Sequence, residues 1–499
     1  MTAIVIIGGG IIGASISRIL SRYANIDVHL IEKEADVGWG VTKANTGIIH
    51  PGHEDDASVY PMRAKFCKEG NMLWHQWSKD LDIPIIWPGE LMIIFEEREH
   101  EILQNFLKIG RENGVSDLRI IDKNELLELE PYINQEAIGA LYAPSAGLIE
   151  PWEAVFGLLE NAVDNGVKTH LNTKVTDIRV QEDMIKGVET SNGFIKADIV
   201  INAAGLYADI VSKMAGINDV IIQARKGQYY LFDNDVVPNV SRIIHRAPTA
   251  KTKGVYAVKT IEGNLMIGPT AEDLSNDEKE DRGTNQKGLD YIWDNASGLV
   301  NALPSKGKVS KIFAGLRPEP PDGKFIIKSY QNPWGFINVS GIRSPGLTAA
   351  PAIASYVVNT LIKIDLGISL IEKSEWNPLR KRMQRFSTLP DQKKHEIIQD
   401  DSRYGNVVCM CNEVTEGEII EAVSRIKKLG ETVTLDGIKF RTTAMFGFCQ
   451  GSFCRSRIAL ILSKELKTPL WKVTQMGDGT TYGIGDIKVL QSKNKEEEK

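Results

Sequence analysis

Several things are scarce in this chain of 499 residues, and each scarcity excludes something. Cysteine comes first: there are 5, too few for a disulfide-stapled fold, and four of them lie beyond residue 400. No run of about 18 apolar residues, the length a bilayer-crossing helix needs, occurs. Positive charge is not in excess: 59 Lys and Arg against 65 Asp and Glu leave a net charge of -6, which argues against a general nucleic-acid binder. Residues 1–8 carry no basic segment and reach glycine too soon for a secretion signal. The expected location is therefore the reducing cytoplasm, with peripheral attachment to the inner membrane face through a partner left open. In that compartment a clustered set of cysteines reads as a metal site rather than as disulfides.

What is present is apolar enough, at 42% hydrophobic, for sizeable cores, and at roughly 100–200 residues per domain the length predicts two to four domains. Residues 3–7 form a purely apolar run, as in a central parallel strand. Glycines follow, then a helical pattern over Ile11–Tyr23 and a strand over Val28–Ile31 that ends at Glu32. A second strand-helix-strand region is expected over 167–205, closing with the strand Asp198–Ile201. A third is expected over 325–360, with a strand near Phe336–Val339 and a helix from about Leu347. The fold class is thus α/β, a Rossmann-like nucleotide domain with an inserted α+β substrate domain, plus a small, mostly helical C-terminal module. The expected boundaries are 1–80, 145–217 and 316–365 for the nucleotide domain, and 81–144 and 218–315 for the substrate domain. A proline-broken, charged linker over 366–405, the cysteine module over 406–460 and a tail over 461–499 complete the chain. Ser492–Lys499 is charged and expected to be disordered.

Gly8-Gly9-Gly10-Ile11-Ile12-Gly13 contains the G-x-G-x-x-G fingerprint in a strand-turn-helix setting. Gly8 makes the tight turn, Gly10 lets the backbone approach a pyrophosphate, and Gly13 lets helix and strand pack closely. The phosphates would sit on the free N–H groups of the helix start. Glu32, nineteen residues past Gly13, is placed to accept ribose hydroxyls. The fingerprint alone does not separate FAD from NAD. Asn202-Ala203-Ala204-Gly205 and Ser344-Pro345-Gly346-Leu347-Thr348 favour FAD, because both join a strand to a helix start through small residues that admit a long cofactor. A helix start aimed at a flavin ring stabilises the negative charge of its reduced form.

The cysteines fall as Cys409-x-Cys411 and Cys449-x4-Cys454. Four thiolates suit a [2Fe–2S] cluster or a structural zinc, and the one-residue gap favours iron over zinc. Cys67 stands apart and reads as a core residue.

With Thr42-Lys43-Ala44-Asn45-Thr46-Gly47-Ile48-Ile49-His50, these stretches resemble the D-amino-acid-oxidase-type FAD-dependent oxidoreductases. Arg225–Tyr230, Gly263–Thr270, Phe313–Pro318 and Ser344–Pro351 resemble the branch of FAD-dependent glycerol-3-phosphate dehydrogenases and oxidases, over about residues 1–365. 2-Hydroxyglutarate dehydrogenases share some of the same stretches. Arg441–Gly451 resembles the bacterioferritin-associated-ferredoxin-like [2Fe–2S] module, although Phe446 and Phe448 stand where that pattern usually has a basic residue or glycine. The resemblance implies a glutathione-reductase-type FAD domain. In it, FAD is held by Gly8, Gly10, Ile12, Gly13, Glu32, Thr42, Asn45, Thr46, Gly47, Val175, Ala204, Gly205, Gly341, Ser344, Gly346, Leu347 and Thr348. It also implies a cluster held by Cys409, Cys411, Cys449 and Cys454, and electrons leaving to a second flavoprotein subunit and ultimately quinone.

Oxidation of a secondary alcohol removes a hydride from carbon and a proton from oxygen. His50 ends the stretch that runs beside the flavin in the resembling family, and an imidazole near pKa 6.5 suits proton removal. The plainer alternative is a histidine that only hydrogen-bonds the flavin. An anionic substrate needs fixed positive charge, and Arg317, between Gly315 and Pro318, offers a planar fork for a phosphate or carboxylate. Lys253 and Arg343 are further candidates, whereas Arg225 and Arg246 read as surface residues. The leading expectation is oxidation of glycerol 3-phosphate. The alternatives are a 2-hydroxy acid or an amino or imino acid on the same machinery, and a non-catalytic redox binding module.

Overall fold

The structure is a computed structural model of the chain and describes residues 1–237, 239–248, 254–483 and 485. Lys253 and the charged stretch Ser492–Lys499 lie outside the described residues. The chain divides into two compact units. The first comprises Met1–Ile31, Gly38–Lys168 and Val175–Arg380, and the second Glu32–Val37, Thr169–Lys174 and the chain from Lys381 onward.

In the first unit the strand Thr2–Ile7 lies between Ile26–Ile31 and Ile199–Asn202, parallel to both. Ile4, Val5 and Ile6 are fully buried, which explains the uninterrupted apolar run. Trp334–Ser340 continues the parallel sheet beyond Ile199–Asn202. The helix Ile11–Leu20 covers this sheet with every residue buried and packs on the helices Pro151–Asp164 and Gly346–Tyr356.

The region 167–205 corrects one expectation. No helix divides it: Val175–Gln181, Met184–Thr190 and Gly193–Lys196 form an antiparallel meander, and the helix Pro151–Asp164 precedes it. The turn that makes the first hairpin is Glu182-Asp183, with φ of +53° and +56°. Two-residue hairpin turns need positive φ and usually signal themselves by Asn-Gly or Asp-Gly. Here two acids occupy those positions, so the signal is absent from the sequence. The region 325–360 likewise begins with a hairpin, Ile326–Gln331 against Trp334–Ser340, before its helix. That helix, Gly346–Tyr356, continues as a π-helical stretch to Asp365. Among the described residues, one helix, Gly346–Asp365, is long and apolar enough to cross a membrane, and 61% of its apolar window is buried within the protein's own core.

A second, mostly antiparallel sheet is drawn from 90–143 and 223–319. Its longest pair, Gln223–Phe232 and Val309–Glu319, sets Arg225 opposite Arg317. Leu91, Ile93, Phe232, Ile244 and Ile267 face Leu289 and Ile292 of the helix Gln286–Ser297 in one core. A small sheet places Ile48–Ile49 and Ile85–Ile86 on either side of Gly147–Ile149.

The second unit has its own core, built from Val408, Val414, Ile419, Val423, Ile426, Leu435, Ile438, Ile458 and Leu462. The helix Glu416–Leu429 starts in a capping box: Thr415 Oγ1 accepts the Glu418 N–H while Glu418 accepts the Thr415 N–H at 2.7 Å. The stretch expected as a linker is shared out. Residues 366–380 belong to the first unit, where Arg380 pairs with Glu153 and Glu160 at 2.7 and 2.8 Å. Residues 381–405 belong to the second and include the helix Asp391–Asp400, with no buried residue, so its charged composition is that of a solvated helix.

Candidate active site and cysteine centre

The glycine turn closes by direct backbone contact. Gly8 has φ +113°, and a Cβ there would sit 2.4 Å from the Ala203 carbonyl oxygen; at Gly13 it would sit 2.0 Å from the Gly8 oxygen. Gly10 precedes the helix start, where the Ile11 N–H donates to Thr42 Oγ1 at 3.1 Å, and Ile12 is buried in the first turn. Thr42 thus ties the loop 42–47 to the turn. Within the loop the Asn45 amide donates to the Thr42 carbonyl at 2.6 Å and accepts the Gly47 N–H at 2.8 Å, while Thr46 is half-buried. Ala204 donates its N–H to Asn202 Oδ1 at 3.2 Å, and Gly205 takes φ +56°. Asn202 is fully buried, and its amide donates to Asn338 Oδ1 and to the Ala208 carbonyl, both at 2.8 Å. This lock fixes the ends of two parallel strands, from one of which Gly341 leads to Ser344, Gly346, Leu347 and Thr348 at the helix start. Val175 is buried beside Ile7 and Ile31. Glu32 follows the strand Ile26–Ile31 and accepts the Glu34 N–H at 3.0 Å. The small residues and the helix start form a cradle that fits a dinucleotide.

His50 is buried at 8% exposure, and its backbone is pinned from both sides. Its N–H donates to Thr348 Oγ1 at 2.9 Å, and its carbonyl accepts from the Asn71 amide at 3.1 Å and the Cys67 thiol at 3.7 Å. Trp74 Nε1 donates to the Leu347 carbonyl at 3.1 Å, fixing the same helix start. On the ring, Nε2 lies 3.4 Å from Ser344 Oγ and Nδ1 lies 3.7 Å from Glu54 Oε2. Sequence reasoning paired His50 with no acid, although the four-residue spacing to Glu54 was there to be seen. It also missed the side chains packed around that pair. Tyr256 donates to Glu54 Oε1 at 3.0 Å, and His245 Nε2 stands 3.1 Å from Glu90 Oε1. Burial, and then Glu54, push the Tyr256 hydroxyl well above its ordinary pKa. Burial would raise Glu90 too, but its His245 partner prevails and holds it below the usual carboxylate value. Burial pushes His53 down, towards its neutral form.

The cationic candidates separate. Arg343 pairs with Glu319 at 2.7 Å and Arg225 with Asp273 at 2.6 Å, so both are neutralised. Arg246 pairs with Glu99 at 2.9 Å at the surface. Arg317 donates to the Thr270 carbonyl at 3.1 Å and to Tyr229, and among the described residues no carboxylate pairs with it. A guanidinium with fork positions to spare is a ready anion receptor.

In the second unit the cysteine sulfurs pair by side-chain hydrogen bonding, Cys409 with Cys454 and Cys411 with Cys449. The Cys454 thiol, then the backbone N–H groups of Asn412, Met445 and Cys411, lower Cys409 to about 5. Cys454, the donor of that pair, is raised. The Phe453 N–H leads in lowering Cys449. Met445 takes φ +67° and Gln450 +48°, left-handed conformations in the loop that carries the last two cysteines. A Cβ on Gly447 would lie 2.3 Å from Cys411 Cβ, so the loop closes on the sulfurs only with glycine there. Four cysteine sulfurs in two pairs, within reach of backbone N–H groups, are a donor set that fits two irons. Cys409 and Cys454 are buried while Cys411 is exposed, flanked by Met410 at 62% and Phe448 at 74% exposure.

Comparison with known proteins gives the same division. The model of FAD dependent oxidoreductases matches residues 3–360, and that of the BFD-like [2Fe-2S] binding domain matches residues 407–464. The chain is 39% identical to a glycerol 3-phosphate dehydrogenase of Caloramator mitchellensis, across 98% of this chain and 99% of that one. It is 32% identical to a glycerol 3-phosphate oxidase of Mycoplasma pneumoniae, across 75% and 97%. The solved structure of dithionite-reduced L-alpha-glycerophosphate oxidase from Mycoplasma pneumoniae with FAD bound superposes with a TM-score of 0.70 at 31% identity. It covers 76% of this chain and 98% of that one.

Proposed function

For a chain that belongs to the FAD-dependent oxidoreductase family and carries a BFD-like [2Fe-2S] binding domain, we propose the oxidation of sn-glycerol 3-phosphate to dihydroxyacetone phosphate. The electrons leave through the [2Fe–2S] centre to an electron-accepting protein subunit, a second flavoprotein that delivers them to quinone. That route places the enzyme in the cytoplasm, held at the inner membrane face by its partner. The observation that carries this reading is the whole-length likeness to a glycerol 3-phosphate dehydrogenase, spanning both units.

When bound, the flavin accepts a hydride and the cluster moves electrons one at a time. The chain's own residues supply the rest. His50 removes the hydroxyl proton at Nε2, the ring atom next to Ser344 Oγ. Ser344 Oγ, 3.4 Å from the same nitrogen, would help to orient it. Arg317 takes the substrate phosphate on the fork positions that no carboxylate occupies. Lys253, outside the described residues, remains a second cationic candidate on sequence grounds. The burial of His50, Glu54 and Tyr256 excludes water from the proton's route.

The test is a substrate screen under anaerobic conditions with an artificial dye as acceptor. Glycerol 3-phosphate is expected to bleach the flavin and drive dye reduction. Bleaching by 2-hydroxyglutarate or proline, but not by glycerol 3-phosphate, contradicts the assignment.

A further inference from the structure

We propose that Glu54 is the positioning residue of the base, so that His50 and Glu54 work as a buried dyad; the proposal rests on the reading of His50 as the proton acceptor. The imidazole is held between two polar groups, Ser344 Oγ on Nε2 at 3.4 Å and Glu54 Oε2 on Nδ1 at 3.7 Å. Both side chains of the dyad are buried, at 10% and 9% exposure. A neutral imidazole is a base at Nε2 only if its proton sits on Nδ1. A carboxylate accepts and never donates, so Glu54 selects that tautomer. Once Nε2 has taken the substrate proton, the same carboxylate stabilises the imidazolium, as in any acid-oriented histidine base. The 3.7 Å gap exceeds a hydrogen bond, and such gaps tighten when substrate arrives.

Glu54 is itself held. Its other oxygen accepts the Tyr256 hydroxyl at 3.0 Å, and the Tyr256 ring stacks on His245 with centroids 4.5 Å apart. His245 in turn faces Glu90 at 3.1 Å. Among the described residues, the groups that act on the dyad include Tyr256, His53, His245, Glu90 and, through Tyr256, Arg317. His245 sits against Glu90 rather than against Glu54. The step balances simply. The hydroxyl proton goes to Nε2, the O–H electron pair becomes the second bond of the new carbonyl, and the hydride leaves C2 for the bound flavin.

The experiment follows anaerobic flavin reduction by glycerol 3-phosphate across pH in the holoenzyme and in Glu54→Gln, Glu54→Asp, Tyr256→Phe and His50→Asn. For Glu54→Gln the limiting rate should fall on the order of 10- to 100-fold, part of the roughly 100- to 10,000-fold a general base contributes. The acid limb of the pH profile should change with it, because the imidazole loses the carboxylate that orients it. KM should stay near the parent value, since Glu54 does not touch substrate. Tyr256→Phe should move rate and limb in the same direction by less, and Glu54→Asp should restore part of both. If Glu54→Gln and Tyr256→Phe keep the parent rate and limb while His50→Asn is slow, the dyad is wrong and the base survives. If His50→Asn also reduces at the parent rate, the base reading falls and the dyad with it. Should Glu54→Gln fail to retain flavin, Tyr256→Phe, which removes a single oxygen, decides alone.

Discussion

The two units treat their reactive groups in opposite ways. In the first, His50 is buried, its backbone tied to Thr348 and Asn71, and its ring set between Ser344 and Glu54. In the second, two sulfurs are buried, but Cys411 is exposed among the outward-facing side chains of Met410 and Phe448. On the proposed function, the contrast follows from what each would exchange. Hydride and proton removal requires water to be kept out and one ring nitrogen to be free. Passing single electrons to another protein requires a redox centre close to a surface. One core cannot satisfy both demands, and each unit has its own.

The sharpest way to break this contrast is to remove one centre and watch the other. Cys449→Ser should strip iron and acid-labile sulfide, and lower turnover with a one-electron acceptor by at least the roughly 10- to 100-fold typical of losing a metal site's outer-shell partner. The flavin spectrum should remain, because the glycine turn and the helix start of the FAD cradle lie in the first unit. Loss of flavin together with iron would show that the units are not separable. Iron analysis, absorbance and dye turnover give the answer. Next, Arg317→Ala removes a charged hydrogen-bonding fork worth about 1.5–3 kcal/mol, about 10- to 100-fold in kcat/KM. The loss should appear mainly as a raised KM for glycerol 3-phosphate, and an unchanged KM removes Arg317 from the substrate.

The smallest effect concerns the metal-free second unit. Cys409 is held at about 5, below the roughly 8.5 of an unfolded thiol. A depressed group contributes stability that is complete above the unfolded pKa and is lost as pH falls towards 5. Its partner Cys454 is raised, and that contribution is lost as pH rises above the unfolded value. The pair Cys411 and Cys449 is raised and lowered in the same sense. Chemical denaturation of the iron-free protein should therefore show the second unit's stability rising from pH ~5 to ~8.5 and falling beyond. A flat profile would mean that the cysteine pairs do not form without metal.

The parts legible in the sequence are those set by neighbours along the chain. The apolar strand, the glycine turn, the helix start after Ser344 and the cysteine spacings are all local patterns, and the structure has each of them. The meander over 175–196 was read as strand-helix-strand because its turn uses Glu182 and Asp183 in place of the usual glycine. What stayed hidden is long-range. Asn202 meets Asn338 across 136 residues, His245 meets Glu90 from a different strand, and Tyr256 reaches Glu54 across 202 residues. In the second unit Arg441 grips the buried Asp36 at 3.0 Å across 405 residues. An isolated polar residue in a sequence reads as surface, and only the folded chain shows the partner that makes its burial tolerable.

On the proposed function, substrate electrons enter at the flavin and leave through the iron–sulfur centre of the same chain. Anaerobic titration of the holoprotein with glycerol 3-phosphate, followed by visible absorbance and electron paramagnetic resonance, tests it directly. The account predicts flavin bleaching accompanied by the paramagnetic signal of a reduced [2Fe–2S] cluster. Bleached flavin with a cluster that stays oxidised, however much substrate is added, would contradict it.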